Sequence, residues 1–200
     1  MGTRCGSPRR RGGDQARRST WHPSATTGLA LVTIAALAFR QAGPSDVDAI
    51  AEAHRDSIGS IGPAFYAAGD VEKWQEGLTG QLYLDAMAGG EVFFIATGQI
   101  DRTPLVLGFA SDYRLGGTTH GTSVYVRSVA ARQGIGTSLL RLAEDHAVAR
   151  GATRIQLEAS LAGVEFYKAN GYVEVAPARA RLKSGHLLQC VCMRKDVARS

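Results

Sequence analysis

A layered α/β (α+β) domain, with helices on the faces of a mixed sheet, is the fold class the sequence predicts. Three observations predict it. Short apolar, β-branched runs of strand length alternate with amphipathic helical patterns along most of the chain. Glycine, proline and short polar clusters punctuate these runs at close intervals, as turns require. The length of 200 residues suits one domain with a tail, and no internal repeat appears.

The elements follow in order. "TIAALAFRQA" reads as a strand, stopped by Gly43 and Pro44. Ser45 is placed to N-cap the helix "DVDAIAEAHRDSI", with Asp46 and Asp48 in its first turn, and Val47, Ile50, Ala51, His54 and Ile58 recur at helical spacing. "GSIGPAFYAAGD" is a loop, and "VEKWQEGLTGQLYLDAMAGG" a second, weaker helical region ended by a glycine pair. "EVFFIAT" and "LVLGFASDYR" are strands joined by the polar turn "GQIDRTP", and "GTSVYVRSV" is the next strand. A helix follows from about Gly136 to Arg150, with Ile135, Leu139, Leu142, Ala143 and Ala147 on one face and Gly151 closing it. "TRIQLEA" is a strand, "GVEFYKAN" a short helix, and "YVEVAP" and "HLLQCVCMR" the last two strands. In that final strand Cys190 and Cys192 share a face as buried apolar residues, and C-x-C without His or Cys neighbours is a poor metal site.

Charge is unevenly distributed. Residues 1–28 carry six arginines against Asp14 alone, so the tail holds the whole net charge of +5 and the remainder is formally neutral. The body therefore offers no basic stripe for nucleic acid. The tail is rich in Arg, Gly, Ser and Pro, has almost nothing to bury, and reads as disordered, with the folded domain at 29–200. Three other readings of it stay open: a transit peptide, a secretory or twin-arginine signal ending near "ALA" at 36–38, and a nucleic-acid-clinging arm. The apolar run Leu29 to Phe39 is too short to span a bilayer, which takes roughly 20 such residues. The expectation is a cytoplasmic protein without nucleic-acid or membrane partners.

The informative segment is "VYVRSVAARQGIGTSLL". A strand runs through a turn holding Gly134 and Gly136 into a helix whose first turn carries Thr137 and Ser138. Helix N-termini expose unpaired N–H groups and bind anions, and glycines let backbone approach a phosphate closely. By itself G-x-G equally marks a plain turn, and neither the Walker loop nor G-x-G-x-x-G is present. Together with "LEASLAGVEFYKANGY", "QCVCMRK" and the order of elements, the segment resembles the GNAT superfamily of acyl-CoA-dependent N-acyltransferases over about residues 33–196.

The resemblance implies a mostly antiparallel twisted sheet of six to seven strands with a central splay and about four helices. It implies acetyl-CoA as cosubstrate, with its pyrophosphate at Arg132, Gln133, Gly134, Ile135, Gly136 and Thr137, and its pantetheine arm along Val124, Tyr125 and Val126. The amine would attack the acyl carbonyl directly, and Tyr167 of the "FY" pair would protonate the leaving thiolate. Where relatives often carry Glu five residues before the position of Tyr125, this chain has His120, a candidate base or else a surface histidine in a Gly/Thr turn. Glu158 is the second candidate base, or else a carboxylate paired with Arg154 or facing solvent. Two positions depart from the family: Ala131 stands where a first Arg/Gln is usual, and Ala162 where an Asn often touches the CoA arm. These losses keep a second reading open, a non-catalytic domain that binds acyl-CoA.

The acceptor, a small-molecule or protein amine, would lie near Phe65, Tyr66 and Trp74, which are otherwise ordinary loop anchors. Arg179, Arg181 and Lys183 suit an acidic acceptor or the CoA 3′-phosphate, or are simply solvated. No metal is implied, and many relatives form homodimers.

Overall fold

The computed structural model describes residues 33–197; the basic tail lies outside them, while the "ALA" at 36–38 of the candidate signal falls inside the first strand. Seven strands form one sheet: β1 (Ala35–Gln41), β2 (Val92–Ile100), β3 (Thr103–Gly116), β4 (Thr119–Val126), β5 (Arg154–Ser160), β6 (Val173–Arg181) and β7 (Leu187–Asp196), in the order β1-β2-β3-β4-β5-β7-β6. Five α-helices accompany it: α1 (Val47–Ile61), α2 (Ala68–Gln75), α3 (Gly80–Ala88), α4 (Ile135–Ala149) and α5 (Val164–Ala169).

Most element boundaries match the pattern, with three local differences. Ser45 does not cap α1; it lies inside a 3-10 turn, Pro44–Asp46, where the Asp46 carboxylate accepts the Gly43 N–H at 2.8 Å and the Arg40 guanidinium at 2.7 Å. The weak helical region divides into α2 and α3 because Gly77 takes φ +79°, which ends one helix and re-aims the chain for the next. The β2–β3 turn is tighter than expected: Asp101 and Arg102 form a two-residue hairpin loop, both with φ near +50° to +70°.

Every neighbouring strand pair is antiparallel except β4 and β5. That pair is parallel and short: Thr119, His120 and Gly121 face Arg154, Ile155 and Gln156, and pairing stops there. Thr122–Val126 stays paired to β3, and Leu157–Ser160 to β7, so the two strands diverge and the sheet opens between them. The core is divided accordingly. Val47, Ile50, Ala51 and Ala53 of α1 pack with Tyr83, Phe93, Ile95 and Phe109 on one face. Ile135, Leu139 and Ala143 of α4 pack with Phe94, Leu107 and Ala110 on the other. A third cluster, Leu140, Ile155, Leu157, Tyr167, Tyr172 and Met193, holds α4 and α5 to the β5–β7 half, and Cys190 and Cys192 are buried on β7. No described helix is long and apolar enough to cross a membrane.

Candidate active site

The opening between β4 and β5 is a cavity of about 550 Å³, floored by the two strands, closed by α5 on one side and by α1 and α2 on the other. Val124, Tyr125 and Val126 of β4 line it, as do Glu158, Ala159 and Ser160 of β5.

At one end the chain turns from β4 into α4. Gly134 caps that helix at φ +79°, a left-handed conformation that L side chains rarely adopt. Arg132 is also left-handed, at φ +64°, with its side chain exposed at the mouth. The first helical hydrogen bond runs from the Ser138 N–H to the Gly134 carbonyl at 3.1 Å, which leaves Ile135, Gly136 and Thr137 with N–H groups that have no helical acceptor. No side chain caps this terminus. Gly136 is needed for a different reason: a Cβ there would meet the Phe166 ring at 3.2 Å, so its absence lets α5 close on α4. The turn is a concave backbone cradle carrying the partial positive charge of a 15-residue helix, which suits a phosphate group.

Two contacts fix the cradle to α1. The Asp56 carboxylate accepts the Ser128 N–H at 2.7 Å and its hydroxyl at 3.1 Å. Arg127 reaches Glu52 at 3.2 Å while its Nε donates to the Val106 carbonyl.

In the opening itself stands Tyr167, 6 % exposed, with its ring edge-on to Phe166 and Tyr172. Burial pushes its phenol pKa far up, the neighbouring Tyr125 adds to this, and the nearby Val124 backbone N–H opposes it. The phenol therefore keeps its proton at neutral pH.

Of the residues singled out from the sequence, Val124, Tyr125, Val126, Arg132, Gly134, Gly136, Thr137, Glu158, Ala162 and Tyr167 all line the cavity. Ile135 turns its side chain into the core at 2 % exposure, leaving only its N–H at the cradle, and Gln133 is not in the lining. Arg154 pairs with Asp196 at 2.7 Å. Arg179, Arg181 and Lys183 are exposed around the β6–β7 turn and do not reach the cavity.

His120 is corrected on both readings. It is neither a base at the cleft nor a surface residue: it is fully buried where β4 and β5 are still paired, on the closed side of the opening, with Nδ1 2.6 Å from Asp112 Oδ1. His146 of α4 holds the other Asp112 oxygen at 2.8 Å. The even-numbered residues of β4 face α4, and strand alternation takes His120 away from the face that carries Ser123 and Tyr125. Asp112 thus ties β3, β4 and α4 together, and Asp112→Ala is expected to cost about 3 kcal/mol in urea unfolding, with Asp112→Asn costing less.

Ser57 and Ile61 of α1, which begin the segment leading to Trp74, and Ser123 of β4 were not singled out individually but also line the cavity. Ile58 was legible only as a core position. Behind Tyr125, His54 of α1 lies 3.6 Å from its ring centroid and bonds Tyr83 at 2.8 Å. Burial, helped by Arg55, pushes the His54 imidazole down to about 3. A base whose pKa is depressed by folding contributes fully above its unfolded value near 6.5 and loses that contribution as pH falls toward 3. Between pH 7 and pH 5 wild type should lose about 2 kcal/mol relative to His54→Gln, measured by urea unfolding at both pH values.

The Acetyltransferase (GNAT) family profile matches residues 58–172, more than half of the chain. The protein belongs to the GNAT acetyltransferase family. Solved structures agree. A GCN5-related N-acetyltransferase from Rhodopseudomonas palustris is 26% identical over 85% of this chain and all of its own, with a TM-score of 0.66. The PaiA N-acetyltransferase from Thermoplasma acidophilum, in complex with coenzyme A, shares the fold at 19% identity, covering 81% of this chain and 99% of its own, TM-score 0.63. A ribosomal-protein-alanine N-acetyltransferase from Brucella melitensis does so at 22% identity, covering 80% and 99%, TM-score 0.59. No curated protein matches the sequence. The GNAT fold accounts for the single parallel pair and its early divergence: the opening between β4 and β5 is a feature of the architecture, while the side chains that furnish it are this chain's own.

Proposed function

We propose that the protein is a cytoplasmic N-acetyltransferase that moves an acetyl group from acetyl-CoA to an amine by direct attack in a ternary complex. The observation that carries this is the alignment, along one cavity, of an uncapped glycine cradle, an open strand edge and a buried protonated phenol. The coenzyme A in the Thermoplasma neighbour supports the choice of cosubstrate.

On this reading the N–H groups of Ile135, Gly136 and Thr137 hold the pyrophosphate, with Arg132 adding charge at the mouth. The strand edge at Val124–Val126 pairs with the pantetheine arm, and Ala162 leaves it room. The amine nitrogen attacks the thioester carbon, the C–S bond breaks, and Tyr167 gives its proton to the departing thiolate. The phenol is in its acid form at neutral pH, and its proton moves in concert with C–S cleavage. Glu158, the β5 carboxylate on the cavity wall, takes the proton that the amine releases.

Purified protein incubated with acetyl-CoA and a panel of amines should release free thiol and yield acetylated amine by mass spectrometry, with no acetyl group left on the chain. Tight acetyl-CoA binding without thiol release against any amine would favour a non-catalytic acyl-CoA-binding domain.

A further inference from the structure

The cavity end remote from the cradle has a composition of its own. Ile58 and Ile61 of α1, Trp74 of α2 and Tyr125 of β4 line it, together with Ser57 and Glu158. Both ring residues line the cavity. Their rings meet edge to face with centroids 6.4 Å apart. Tyr125 is backed by Phe109, stacked at 5.4 Å, and Trp74 by Tyr66, edge-on at 5.5 Å.

This wall is held rigidly. The Tyr66 hydroxyl donates to the Gln189 carbonyl at 2.8 Å and accepts the Leu161 N–H at 2.7 Å, which ties the loop after α1 to β7 and to the chain leaving β5. Helix α2 is tied to the β6–β7 turn by His186 to Asp70 at 2.8 Å and Ser184 to the Lys73 carbonyl at 3.1 Å. The apolar surface continues outward through Ile61, 46% exposed.

Charge at this end has one sign. Arg132, the cationic side chain of the lining, belongs to the cradle; of the two lining carboxylates, Glu165 of α5 is paired with Lys168 at 3.0 Å, and Glu158 stands on β5. Apolar, quadrupolar ring faces with the Glu158 carboxylate attract a single cation on an uncharged body. They repel a free carboxylate and give a second or third ammonium no partner.

Resting on the acetyltransferase reading, we propose that the acceptor is a primary amine carried on an uncharged aromatic body, an arylalkylamine, seated against Trp74 and Tyr125 with its nitrogen toward Glu158. This makes Trp74 a specificity-determining residue. An acceptor amino acid, a polyamine or a peptide N-terminus is the excluded class.

The test compares phenethylamine and tryptamine with spermidine, aspartate and an alanine-initiated peptide as acceptors, reading kcat/KM and also amine binding to the CoA-saturated protein by calorimetry. The arylalkylamines should lead by about tenfold or more. Trp74→Ala should raise their KM by a similar factor with acetyl-CoA affinity retained, and Trp74→Phe should restore most of it. Preferred turnover of spermidine, aspartate or the peptide overturns the proposal and leaves the acetyltransferase reading standing. So does arylalkylamine KM unmoved in Trp74→Ala. If acetyl-CoA binds and nothing turns over, arylalkylamine binding to the CoA complex still supports the pocket while the catalytic reading falls; no such binding overturns the pocket as well.

Discussion

Tyr167→Phe should lower kcat by about a hundredfold while acetyl-CoA affinity changes by less than about twofold. The substitution keeps the ring, and the ring is what packs against Phe166 and Tyr172. What it removes is the phenol hydroxyl, in the cavity lined also by Val124. A loss confined to kcat identifies a group that acts when the thiolate departs. An equal rise in KM with unchanged kcat would instead make Tyr167 a packing residue beside the cosubstrate. A fall in thermal stability without any kinetic change would make it core alone.

The second large effect is expected at the cradle. Gly134→Glu should abolish acetyl-CoA binding, weakening it by about a hundredfold or more. Two costs add: a side chain forced to φ +79°, and a carboxylate placed where the helix terminus now presents positive partial charge. Nothing lies within 4 Å of a Cβ at this position, so the chain has space for the substitution. Gly134→Ala separates the two costs, since it keeps the backbone strain without the charge and should lose far less affinity. Circular dichroism on both variants checks that the fold survives.

The contrast between the two glycines shows how much of the site was legible in the sequence. Strand, G-x-G turn and amphipathic helix are local features, set by hydrophobic period and backbone sterics, and they appear where the pattern puts them. The separate purposes of Gly134 and Gly136 are not local: the second depends on Phe166, thirty residues away in the chain, closing against α4. His120 fails for a related reason. Counting back from Tyr125 fixes a position, but the face a strand residue takes depends on alternation, and an odd interval of five places it opposite Tyr125. Burial then followed from Asp112, a partner eight residues earlier that no motif announced.

The proposed acceptor wall was half legible. Trp74 and Tyr66 stood out as aromatic residues in a loop region, yet Tyr125 was read only for its backbone. Its ring joins theirs because β4 turns odd-numbered side chains toward α1 and α2, a matter of which face the helices cover. Glu158 was visible as a carboxylate on a strand; its place on the cavity wall required the knowledge that β4 and β5 part after Gly121 and Gln156. The early end of that pairing creates the cavity, and the pairing length of two strands is a tertiary property.

The claim on which the whole account depends is that this opening takes acetyl-CoA with its pyrophosphate on the α4 terminus. Calorimetric titration of acetyl-CoA into the full chain tests it most directly. The account predicts one site per chain with a Kd in the micromolar range. It also predicts that adenosine 3′,5′-bisphosphate, which lacks the pyrophosphate and the pantetheine arm, binds far more weakly. Folded protein that gives no heat with acetyl-CoA, or that binds both ligands equally, would contradict it.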